Sequence, residues 1–169
     1  YSGAWSIIHH KLEAALAATR IVDEDNKDTL NRNAKAAALS FFEGTKQRFF
    51  AQLLLSMKLP SLFPAIDEAL SADHSVVVQL VSTSEAMLDR RLADLSDEER
   101  AALDIDLSPR EYVVDYLMKS FPVRLMQVFT DEEGHVRSEP MSDAVGNPVL
   151  CPRAVAARDR LVEQLCALP

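Results

Sequence analysis

Residues 74–88 read His74-Ser75-Val76-Val77-Val78-Gln79-Leu80-Val81-Ser82-Thr83-Ser84-Glu85-Ala86-Met87-Leu88, HSVVVQLVSTSEAML. An aliphatic run meets three hydroxyl residues and passes into a helical pattern. The run at 75–81 lacks apolar/polar alternation, which is the pattern of a strand covered on both faces, as in a parallel sheet. The residues at 84–95 place Ala86, Leu88, Leu92 and Leu95 inward and Asp89, Arg90 and Arg91 outward. This strand–turn–helix edge sets the expected fold class, α/β and helix-dominated.

The hydroxyls at the edge allow two readings. A helix start leaves backbone N–H groups unpaired and carries partial positive charge. Thr83 or Ser84 can cap those groups with no further role. Alternatively, Ser82 and Thr83 can donate to a bound phosphate at the same place.

Working outward, residues 4–20 put Trp5, Ile8, Leu12, Ala15 and Leu16 on one face of an amphipathic helix. A polar link follows at 22–28. A long Ala- and Phe-rich segment at 29–58 is expected to break near Gly44. Its second half puts Phe49, Leu53 and Ser56 or Met57 on one stripe, widened by Phe50 and Leu54. Pro60 is expected to end that helix, and Pro64 to begin a short one running to Leu70. Beyond the central edge, Ser96-Asp97-Glu98-Glu99 and Ser108-Pro109-Arg110-Glu111 both read as helix starts. The second opens a helix over 109–120, with Tyr112, Val113, Tyr116 and Leu117 apolar. Residues 123–150 hold strand-like runs around two turns, Asp131–Gly134 and Val145–Pro148, and predict a β-hairpin or small meander. A last helix over 152–167 carries Val155, Leu161, Val162 and Leu165. Four regions result: 1–73 helical, 74–122 strand and helices, 123–150 a β insertion, and 151–169 a terminal helix.

The chain has 169 residues and is 48% hydrophobic, enough for one globular domain with a core. It opens on Tyr1 and stops on Leu168-Pro169, so it reads as a piece of a larger protein. Its 18 basic residues face 26 acidic ones, for a net charge of −8. That balance makes a poor free-standing nucleic-acid binder, because phosphate binding needs clustered Lys and Arg. A basic surface must be local, and residues 27–58 are the place for it. Cys151 and Cys166 form no CxxC pair, which argues against a zinc site or a disulfide framework. The longest aliphatic runs, Val76–Val78 and Leu53–Leu55, are too short to span a bilayer, so no membrane association and a cytoplasmic location are expected.

Other chemistry is sparse. Lys46 and Arg48 lie among Phe41, Phe42, Phe49 and Phe50, a basic and aromatic mixture that can line a nucleic-acid groove or, for the Phe residues, the core. His9 and Glu13 stand at helical i,i+4 spacing with no third ligand nearby. The acidic clusters at 97–106 and 131–133 read as solvated faces and turns. GxSxG, HExxH, GxGxxG and GxxxxGK[ST] do not occur. With no phosphate-cradling loop, no hydrolytic site is expected in this chain and no resident cofactor or metal.

Two segments, FFEGTKQRFFAQLLLSMKLPSL (41–62) and HSVVVQLVSTSEAMLDRRL (74–92), resemble the strawberry notch family of superfamily-two helicases. The resemblance extends to LSPREYVVDYLMKSFPV (107–123), FTDEEGHV (129–136) and GNPVLC (146–151). It implies the lobe junction and the start of a second RecA-like lobe in a large ATP-dependent helicase, often joined to a DNA methylase domain. Ser82 and Thr83 match the family's Ser-Thr at a strand-to-helix edge that touches the sugar-phosphate backbone. Ser84 stands where the family often has Gly, a departure that bears on how closely a backbone can approach. Lys46 and Arg48 sit in a QRFF-like motif, implying a nucleic-acid or lobe-interface role. ATP and Mg would belong to the parent protein, whose partners would be nucleic acid, DNA by expectation, and the remaining lobes. An incomplete sheet would also leave an edge open to self-association. The alternative is a protein-interaction module of a transcriptional or DNA-modification complex, docking through its acidic middle.

Overall fold

The computed structural model describes residues 2–79 and 109–167. Within them the chain is helix-dominated, with one small two-stranded antiparallel sheet. Its elements are α1 (Ser2–Ala18), α2 (Arg32–Ser71), α3 (Pro109–Lys119), β1 (Met126–Thr130), β2 (Val136–Pro140) and α4 (Pro152–Cys166). Contacts divide the chain into two compact units, Tyr1–Arg48 with Tyr112–Pro169, and Phe49–Glu111.

In the first unit, α1 buries the stripe its spacing predicts: Trp5, Ile8, Leu12, Ala15 and Leu16. The helix ends where Arg20 turns left-handed at φ 63. The Ile21 and Val22 amides then bond back to the Leu16 carbonyl, so the last turn's orphan acceptors are used. Thr19, fully buried, satisfies its hydroxyl on the Ala15 carbonyl at 2.7 Å. Phe42 of α2 is the hub of this core. Its ring meets Trp5 edge-on at 5.5 Å, Tyr116 of α3 at 6.1 Å and His9 at 5.3 Å. Such edge-to-face pairs add to what burial alone contributes. Val113, Leu117, Phe121, Ala154 and Leu161 complete the core, and α4 packs on α1. Tyr112, expected on the inner face of α3, is only half-buried.

Two similar turns shape the β region. Asp131 accepts the backbone N–H groups of Glu133 and His135 through Oδ1, and Gly134 takes φ 82. Asp143 does the same for Val145 and Asn147, and Gly146 takes φ 90. In each, the aspartate seals the turn and glycine supplies the left-handed residue. β1 and β2 pair from Met126↔Pro140 to Thr130↔Val136. The Ser142↔Pro148 and Arg124↔Leu150 bridges extend the meander, as the turn residues predict. Backbone bonds tie it down: Met126 N–H to the Thr19 carbonyl at 2.9 Å and Ser138 N–H to the Leu30 carbonyl at 3.1 Å.

Three local expectations need correcting. α2 does not break at Gly44; it runs 40 residues through it. One glycine costs a helix interior only about 1 kcal/mol, less than the flanking core contacts of Phe42 and Phe49 return. α2 also continues through Pro60 and Pro64. Standing four apart, these prolines remove the N–H partners of the Ser56 and Pro60 carbonyls, a loss this apolar run tolerates. Lastly, residues 74–79 take no strand conformation. Val76, Val77 and Val78 are exposed, Val77 at 93%. Valine's strand preference reflects packing on a pleated, half-buried surface, and among the described residues no strand pairs with this run.

Candidate nucleic-acid interface

Lys46 and Arg48 both lie on α2, two residues apart and so on different faces of the helix. The Lys46 ammonium pairs with Glu43, one turn back, at 2.7 Å, and lies 5.4 Å above the Phe42 ring. Its charge is therefore partly spent within the chain. Arg48 is exposed and donates to the Thr45 hydroxyl at 3.3 Å. Its guanidinium passes over Gly44, 3.5 Å from where a Cβ would stand. Of the four aromatic neighbours, Phe42 and Phe49 are buried, while Phe41 is 54% exposed. The basic and aromatic mixture is thus divided: two rings go to the core, and Arg48 with Phe41 stays at the surface. Ser82, Thr83 and Ser84, the 84–95 helix and the acidic 97–106 cluster lie outside the described residues, so their surroundings are not assigned.

A second group of cations, interleaved with the carboxylates of Asp23, Asp28, Asp131 and Glu133, is present that local sequence does not announce. Arg32 and Lys35 from the start of α2 and His135 and Arg137 from the hairpin line one open groove of about 1010 Å³. Its elements are separated by about a hundred residues of chain, so no short motif could reveal it. The only signal was the basic excess of residues 27–58. A smaller hollow of about 420 Å³ lies by Arg20, Val128, Cys151 and Arg153. There the Cys151 thiol donates to the Ala18 carbonyl at 3.3 Å, and Arg153 meets Glu24 at 3.0 Å.

Acidic groups behave as turn and surface chemistry. Asp131, Glu133 and His135 bring ligand atoms within 4.8 Å of one another. Asp131, however, already accepts two backbone N–H groups and the Arg137 Nε at 2.9 Å. Those bonds, Arg137 first, hold its carboxyl below the ordinary aspartate range. His9 and Glu13 stand 4.0 Å apart on α1, both well exposed, a surface contact with no third ligand among the described residues. α2 is long and apolar enough to cross a membrane by length and composition, a property missed by reading short aliphatic runs one at a time.

No family model matches the chain, and no curated protein or solved structure matches it either.

Proposed function

We propose that this chain is a piece of an ATP-dependent nucleic-acid helicase or translocase of the strawberry notch type. In it, part of a second RecA-like lobe and its helical flanks supply scaffold and sugar-phosphate contacts, while ATP and Mg bind elsewhere in the parent. Support comes from the extended resemblance over 41–62, 74–92, 107–123, 129–136 and 146–151. The observation that carries it into three dimensions is the exposed Arg48 guanidinium, presented from α2 within the first of those segments. Arg48 and Lys46 offer charge to phosphates; Ser82 and Thr83 offer hydroxyls. None of the four reads bases, so the contact positions a strand without specifying sequence. In the parent protein, replacing Ser82 and Thr83 together by Ala should weaken binding of a single-stranded oligonucleotide about tenfold or more, the worth of two lost hydroxyl contacts at about 0.5–1.5 kcal/mol each. Unchanged binding by that variant would remove the strand-to-helix edge from the interface.

A second reading has its own observation. Leu54, Met57, Phe63 and Leu70 on α2 are each more than half exposed. By helical spacing Leu54 and Met57 lie on one side of α2 and Phe63 and Leu70 on the other; exposed apolar side chains in this number favour a protein-interaction module. Nucleic-acid binding that is absent even at low salt, with a partner captured through these four residues, would support this alternative.

A further inference from the structure

We draw no further inference here: the strongest candidate, the exposed aliphatic run Val76–Val78 beyond the end of α2, has no backbone partner among the described residues, and nothing in the structure shows what covers it.

Discussion

Asn31 and Ser138, 107 residues apart in sequence, are joined by a hydrogen bond of 2.9 Å from the Asn31 amide to the Ser138 carbonyl. The same side chain accepts the Ala34 N–H through Oδ1 at 2.9 Å, capping α2. One residue thus starts the longest helix and pins the hairpin to it, which fixes the groove between them. Asn31→Ala should cost about 1–3 kcal/mol, the sum of a lost cap and a lost long-range bond. Asn31→Asp should recover part of that loss, because it keeps the capping oxygen. A chemical-denaturation series reads both, and an alanine variant as stable as wild type would contradict the pinning role.

Gly44 sits inside α2 with a negative φ and only the Arg48 guanidinium near its missing Cβ. A methyl group there meets Arg48 at ordinary contact distance. Gly44→Ala should therefore raise stability by about 1 kcal/mol, by removing backbone entropy from the unfolded chain. A melt of the variant gives the answer directly, and a destabilised variant would mean that α2 bends or opens at this point.

The Tyr116 hydroxyl is buried and has no hydrogen-bond partner among the described residues. Burial drives its pKa well above that of a free tyrosine. The ring itself packs on Phe42 and Phe121. Tyr116→Phe keeps the ring contacts and removes the unpaired polar group, so stability should be unchanged or rise by about 1 kcal/mol. A loss of more than about that size in urea unfolding would show that the hydroxyl is satisfied in solution.

Both aspartate turns carry a pH signature. Asp131 is held below its ordinary pKa first by Arg137 and then by the His135 N–H. Asp143 is held down first by the Asn147 N–H and then by that of Val145. In each case the folded pKa lies below the unfolded value, so the turn's stabilisation is complete above about pH 4 and is lost as pH falls through the folded value. Amide resonances of Gly134 and Gly146, followed from neutral to strongly acidic pH, should titrate with midpoints below that of a free aspartate. Midpoints at or above about 3.9 would contradict the hydrogen-bonded turns.

Much of the first unit could be read from residue spacing. The α1 stripe, the Asp131–Gly134 turn and the last helix are local devices, and local rules recover them, as they do the Pro109 helix start of the second unit; the second turn is built on Asp143 and Gly146, earlier than the expected Val145–Pro148. What escaped is set by tertiary context. Gly44 and Pro60 are breakers in isolation, yet α2 passes through both. Val76–Val78 has strand composition, but strand formation is decided by neighbours the run cannot name. For the site, Arg48 at the surface was legible from its helical position. The pairing of Lys46 with Glu43 was also there to find, as an i,i+3 spacing. The groove was not, because Arg32 and Arg137 meet only once Asn31 has docked the hairpin on α2.

The most direct measurement is the salt dependence of oligonucleotide binding by the whole chain, repeated on strands of unrelated base sequence. Backbone recognition predicts a linear fall of log K with log salt, the same for every sequence, and a slope shallower by about 1.4 in Lys46→Ala/Arg48→Ala. Affinity that is absent, indifferent to salt, or unaltered in that variant would contradict the assignment of these residues to a nucleic-acid backbone.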